Sequence, residues 1–313
     1  RERAGRFMEA AAQRSLNETA ALTFLLGARI EQKRHAHAAQ LADILMRSRR
    51  ALSEEVAPAL ARLAETEEAG PLVKRMIEDD PPWRDSFLMT LAASAVDART
   101  PLRLLRAAAK APSPRSEESA RVYLQAVLRA GHYDFAYEAW RLLLPKGRTA
   151  KPGDFYNARF DWPLSASPFD WTIAGGAGVS IEIVGEAGER ALSLRYGQGR
   201  AAPHSVRQYV KLSPGAHRMI GRLRGALAGP RGLRWRIACI DDKTILGESE
   251  MARGHYAEWT PFAFDVTVPE TGCPLQTATL ALDARSPSEW LVAGEMLYSG
   301  LALESVDLLR AAQ

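Results

Sequence analysis

The stretch NARFDWPLSASPFDW, residues 157–171, reads unlike anything ahead of it. It is made of Asn, Pro, Ser and aromatics, whereas the preceding residues are mostly Ala, Leu, Arg and Glu. The wider composition shifts with it. Only five of the 23 Gly and two of the seven Trp lie before residue 151, and both Cys lie after it. Such a change marks the passage from stacked helices to turn-rich sheet. In a chain of 313 residues it predicts two domains, 1–150 and 151–313. The quoted stretch is then the lead-in of the second domain. Asn157 to Leu164 is expected along a sheet edge, and Phe169 to Ile173 is expected to enter the core.

Upstream, AALTFLLGARI (20–30) and AAQLADILM (38–46) place apolar residues at i, i+3, i+4 and i+7, the stripe that a packed helix needs. Gly70-Pro71 and Asp80-Pro81-Pro82 read as breaks, and Thr100-Pro101 and Ser116-Glu117-Glu118 as helix starts. The clearest unit is VYLQAVLRAGHYDFAYEAWRLLLP, residues 122–145. Gly131 permits a tight turn between two helices. The second helix gathers Tyr133, Ala136, Tyr137 and Trp140 on one face, where a small Ala lets a partner helix approach and the rings fill the groove.

Downstream the period falls to two. VSIEIV (179–184), ALSLRY (191–196), VRQYVKL (206–212), RMIGRLR (218–224), LRWRIACI (233–240), FAFDVTV (262–268), QTATLALDA (276–284) and EMLYSGLALE (295–304) all read as strands. Short strands at this spacing, separated by Gly, Pro, Asp and Ser, predict an antiparallel β-sandwich or jelly roll. The fold class is therefore α plus β, a helical array followed by a sandwich.

Charge argues against a nucleic-acid protein. The net charge of +4 comes from residues 1–150, with 24 Lys and Arg against 19 Asp and Glu, while residues 151–313 carry 17 against 18. That is a weakly cationic face without a recognisable nucleic-acid module. The apolar run at 20–27 cannot span a bilayer. Because the chain begins at Arg1, contact with a membrane is expected only through a segment ahead of it.

Cys239 and Cys273 are the only cysteines, and both fall in or beside strands of one domain. They are candidates for a disulfide in an oxidising compartment, with two buried free thiols as the other outcome. Among the tryptophans, Trp171, Trp235 and Trp259 sit in strand patterns and are expected in the core. Trp162 and Trp290 lie in loop-like contexts and are the candidates for a sugar-stacking surface. Asp241, Asp242, Glu248 and Glu250 lie near turns, and nothing in their spacing points to a catalytic pair. No catalytic residue is expected, and the chain reads as a non-enzyme.

Two resemblances sharpen these readings. The Gly131-x-Tyr133-x-x-Ala136 pattern resembles the second helix of a tetratricopeptide repeat, with a weaker echo around Ala38. It implies a small α-solenoid of helix pairs, with Tyr133, Ala136, Tyr137 and Trp140 as repeat-packing residues. The second half resembles the carbohydrate-binding-module type of jelly roll, also called galactose-binding-domain-like. The resemblance rests on NARFD (157–161) followed by Trp171, on SPGAHRMIGRLRG (213–225), on EWTPFAFDVTVP (258–269) and on LYSGLALE (297–304). In that family an early acid and a late Asp help to hold a structural calcium. Asp161 matches the first, but Ser299 and Gly300 stand where the second would be, so no cofactor is expected beyond a calcium candidate at Asp161. The domain combination resembles bacterial envelope and exopolysaccharide proteins. It implies a periplasmic or otherwise extracytoplasmic scaffold that binds envelope proteins, with polysaccharide as a further partner. The alternatives are a carbohydrate-binding module with a helical spacer, or a carbohydrate-active enzyme.

Overall fold

The computed structural model describes residues 19–48, 50–94, 97–113, 117–185, 189–197 and 199–306. The chain separates into two compact units, residues 1–132 and 133–313. The boundary is therefore not at residue 150, as the composition suggests, but ahead of Tyr133. The reason lies in the second unit and is given below.

In the first unit the described residues form seven α-helices: α1 (Thr19–Glu31), α2 (His35–Ser48), α3 (Ser53–Ala64), α4 (Gly70–Glu78), α5 (Arg84–Ser94), α6 (Arg99–Ala108) and α7 (Glu117–Arg129). Each buries one stripe, such as Leu104, Leu105 and Ala108 on α6. Neighbours α1 and α2 pack together, as do α2 and α3. Beyond them helices two apart make the main contacts, α3 with α5, α5 with α7 and α4 with α6. The sequence places the start of α6 at Thr100. The helix starts one residue earlier, and Asp97 is the acceptor there, taking the Arg99 backbone N–H at 3.0 Å. Arg84 is the buried cation of this unit, 4% exposed. It donates to Asp80 (2.5 Å), to Asp85 (3.0 Å) and to the Ser113 carbonyl (3.2 Å), so its charge is matched where it is desolvated.

The second unit opens with α8 (Tyr133–Leu143) and continues as a sandwich of ten strands. These are β1 (Thr172–Ala174), β2 (Val179–Val184), β3 (Ala191–Tyr196), β4 (Ser205–Val210), β5 (Gly215–Ala228), β6 (Leu233–Cys239), β7 (Ile245–Glu248), β8 (Gly254–Val268), β9 (Gln276–Leu282) and β10 (Ala293–Ser305). Sheet one has the order β1-β4-β9-β6-β7 and sheet two the order β2-β3-β10-β5-β8, with every pairing antiparallel. The period-two alternation works as expected. On β6, Leu233, Trp235 and Ile237 are buried, while Arg234 and Arg236 between them are not. The core joins these to Trp171, Leu194, Met219, Val266, Leu280, Met296 and Tyr298.

Helix α8 belongs to this unit because of its aromatic face. Tyr137 and Trp140, expected to fill the space between paired helices, make their ring contacts with the lead-in of the sandwich. Trp140 lies 5.0 Å from Tyr156 and 5.2 Å from Phe169, and Tyr137 lies 5.5 Å from Phe169. Ala136 is fully buried and Tyr133 half-buried. Lys211 beside β4 pairs with Asp134 of the helix. The side chain of Gln208 on β4 bonds both the N–H (3.0 Å) and the carbonyl (2.9 Å) of Tyr156. The lead-in is thereby fixed without strand pairing: Asn157 to Leu164 makes turns rather than an edge strand, with Asn157 at φ 52° and Phe160 at φ 56°. Phe169 and Trp171 are buried.

Cys239, ending β6, is bonded to Cys273, ahead of β9, with Cα atoms 5.3 Å apart. The bond ties the ends of two strands that already pair through Cys239 and Gln276. No helix among the described residues is long and apolar enough to cross a membrane.

Candidate functional site

The outer face of sheet one carries a groove of about 300 Å³. Its floor is made of short side chains, Ala238 on β6 with Thr279 and Ala281 on β9. Its walls are Arg207 on β4, Arg234 and Arg236 on β6, and Asp242 and Asp283 from the adjoining loops. Register explains the assembly. Arg207 stands opposite Thr279, Thr279 opposite Arg236, and Arg236 opposite Glu248 of β7, so one row crosses four strands. Ala281 stands opposite Arg234 in the next row on the same face. Between these rows Trp235 and Leu280 point into the core and anchor the floor from beneath.

The walls are paired charges. Arg207 donates to Asp242 at 3.1 Å. Arg236 Nε donates to Glu248 at 2.6 Å and Arg234 Nη1 to the same carboxylate at 3.3 Å. Arg234 Nη2 lies 3.2 Å from Asp283. Arg231 follows at the rim, 4.0 Å from Asp283, and donates to Glu289 at 3.0 Å. The Arg285 backbone N–H and the Arg231 side chain hold the Glu289 carboxyl below its usual range. Bonds to Glu289 likewise raise Arg231. The groove thus presents paired donors and acceptors around a floor of short side chains.

Of the residues singled out in the sequence, Asp242 lines the groove and Glu248 pairs with its arginines, whereas Trp162, Trp290 and Asp161 lie elsewhere. Trp162 is half-buried beside Tyr156 (5.7 Å, 27° between planes), with the Arg148 guanidinium 5.2 Å from its ring centroid. Its backbone is clamped by Asn157, whose side chain accepts from the Trp162 N–H and donates to its carbonyl. Trp290 closes the short turn Pro287–Trp290, half-buried against the edge of His204 at 5.9 Å. Neither lines the groove. Asp161 is exposed, with Arg159 Nε 3.6 Å away. Among the described residues no cluster of three or more His, Cys, Asp or Glu is placed to hold a metal.

Of the three tryptophans expected in the core, Trp171 and Trp235 are there, each 1% exposed. Trp259 is not. It is half-buried on the outer side of sheet two, in phase with the exposed Pro261, Ala263 and Asp265 of β8 and out of phase with the core-facing Phe262, Phe264 and Val266. Asp242 was considered from the sequence as a candidate acid, but the groove arginines were not singled out. The signal was present in the outward Arg234 and Arg236 of LRWRIAC, but their meeting with Arg207 and Asp283 depends on strand order.

No family model matches the sequence, and no curated protein matches it. Among solved structures the chain is similar to a family 4 carbohydrate-binding module, at 16% identity and TM-score 0.37, over 48% of this chain and 98% of that one. It is similar to a family 61 module from a complex with β-1,4-galactotriose, at 12% identity and TM-score 0.34, over 50% of this chain and 99% of that one. It is also similar to the CBM22-1 xylan-binding domain of Paenibacillus barcinonensis Xyn10C, at 13% identity and TM-score 0.32, over 50% and 97%. The functional reading rests on the groove itself.

Proposed function

We propose that the sandwich unit binds a polysaccharide along the groove of sheet one without turning it over. The observation that carries this reading is the floor of Ala238, Thr279 and Ala281 between paired Arg and acid walls. Ion pairs at a protein surface add little to folding stability, and the four around this trough are only partly buried, so folding alone does not account for them. A pyranose chain offers hydroxyls that both donate and accept, and the walls supply both kinds of partner. The pairs hold their side chains in place before any ligand arrives, which lowers the ordering cost of binding. Binding rather than hydrolysis is favoured because Asp242 and Glu248 are hydrogen-bonded to guanidiniums. Asp241 accepts the Lys243 and Thr244 N–H groups of its own turn. A glycoside hydrolase needs one carboxyl free to give a proton and another free to act as base or nucleophile.

The test is affinity electrophoresis with xylan and calorimetry with β-1,4-galactotriose, the glycans named with two of the similar structures. Ala281→Trp would fill the trough and is expected to weaken binding by tenfold or more. Unchanged affinity in that variant would refute the reading. The Cys239–Cys273 bond supports an oxidising, extracytoplasmic setting.

A second reading is favoured by the first unit. Helices two apart pack in rows, α3 with α5 and with it α7, the arrangement by which helix-pair repeats of the tetratricopeptide kind stack. In that reading the helices bind an envelope protein and the chain is a scaffold of polysaccharide assembly or export. A stoichiometric complex with one envelope protein, in a preparation that binds no glycan, would favour it over the first.

A further inference from the structure

Arg222 and Arg224 lie two apart on β5, on the outward side of sheet two, and both are exposed. Their guanidinium carbons stand 4.8 and 5.0 Å from the centroid of one ring, that of Trp259. The ring faces outward because Trp259 is in phase with the exposed Pro261, Ala263 and Asp265 of β8, next to an irregularity in the ladder. Leu223 pairs with Thr260 and Gly225 with Tyr256, so Ala257, Glu258 and Trp259 together face the single residue Arg224. Gly225 lies at the slip. It sits at φ 132°, and a Cβ there would lie 2.2 Å from the Glu295 carbonyl oxygen.

The other arginines on this face are matched. Arg195 lies 3.1 Å from Glu295 and Arg218 lies 3.5 Å from Asp265. Among the described residues Arg222 and Arg224 have no carboxylate partner. Both are within about 5 Å of one ring centroid, so the two charges stand no farther apart than about a Debye length at 0.1 M salt, ~10 Å. Like charges held this close oppose one another unless an anion joins them. A guanidinium laid on an indole still has N–H groups at its edge, and that fork matches a planar carboxylate.

We infer that Arg222, Arg224 and Trp259 form a site for the carboxylate of an acidic sugar residue, presented by a polyuronate chain lying on sheet two. Trp259 is a positioning residue, its ring centroid within about 5 Å of both guanidiniums. The site lies on the opposite sheet from the groove and goes beyond the proposal made for it, sharing only the choice of a polysaccharide as ligand.

The test uses the full chain with three probes: polygalacturonate, the same polymer with its carboxyl groups reduced, and single-stranded oligo-dT. Polygalacturonate is expected to bind, and the reduced polymer at least tenfold more weakly. Arg222→Gln with Arg224→Gln is expected to cut polygalacturonate affinity by tenfold or more and to flatten its salt dependence. Trp259→Leu keeps both charges and is expected to cost several-fold, which a purely electrostatic patch would not show. Ala281→Trp should leave polygalacturonate binding intact, so loss of groove binding and loss of this site are separable. Thermal melts check that each variant is folded. Polygalacturonate affinity within twofold of wild type in the double Arg variant would overturn the proposal. So would oligo-dT binding of equal strength with the same dependence on Arg222, Arg224 and Trp259, because the site would then be one for phosphate.

Discussion

Trp140 on α8 lies 5.2 Å from the ring of Phe169, two residues before Trp171 enters the core, with 30° between the planes. This contact makes the helix part of the sandwich. Trp140→Ala is expected to lower the stability of the second unit by about 3 kcal/mol, the usual cost of truncating a buried aromatic. Urea unfolding followed by the near-ultraviolet signal of the sandwich tryptophans would measure it. A loss confined to helical signal would count against the assignment.

The Cys239–Cys273 bond closes a loop spanning 34 residues in sequence. On the chain-entropy account that loop is worth about 3–4 kcal/mol. Cys239→Ser with Cys273→Ser should lower the urea midpoint accordingly, and adding reductant to wild type should move it toward the double variant.

His204 supplies a pH dependence of definite sign. Its Nε2 lies 2.6 Å from the Tyr196 hydroxyl and its Nδ1 lies 2.8 Å from the Ala202 carbonyl. Burial pushes its pKa below the ordinary 6.5, only partly offset by the Ala202 bond. The folded state therefore prefers the neutral ring. Its stabilisation is complete above 6.5, the ordinary value, and is lost as pH falls from there through the lowered pKa. His204→Gln should flatten the fall of melting temperature below that value, while leaving melting at pH 8 less affected than at acid pH. Parallel curves for variant and wild type would show that the titration lies elsewhere.

Tyr298 tests the opposite kind of polar group. Its hydroxyl is buried without a protein hydrogen-bond partner, and burial raises its pKa well above the ordinary range. Its ring packs edge-on against Trp235 and Phe262. Tyr298→Phe keeps the ring contacts and removes the hydroxyl, so it is expected to raise stability by about 1 kcal/mol. Destabilisation of that size would mean that the hydroxyl is satisfied in solution.

The layered architecture was legible in the sequence because burial writes period two directly into strands such as ALSLRY and LRWRIAC. The pairing of the two cysteines was legible as a candidate for a similar reason: both flank strands of one sheet. What was not legible depends on partners distant in the chain. Tyr137 and Trp140 fit a helix–helix groove as well as they fit Phe169 and Tyr156, since an apolar stripe does not name what covers it. Trp259 is the exception, since the alternation of Phe262, Phe264, Val266 and Val268 toward the core already leaves it on the outward phase. Strand β7, ILGE, is too short and too glycine-bound to announce itself. The groove needed the order β4-β9-β6-β7, which no local pattern encodes.

That order has a cost during synthesis. Strand β10, the last of the ten in chain order, sits in the middle of sheet two between β3 and β5. Until residues 293–305 emerge, the flanks of that sheet have nothing to join them, and Leu194, Met219 and Leu223 stay uncovered. Strands β6 and β9, with the cysteines beside them, are out of the tunnel earlier and can pair first. A nascent chain stalled before β10 would thus carry a closed crosslink on an open sheet, a form suited to capture by chaperones.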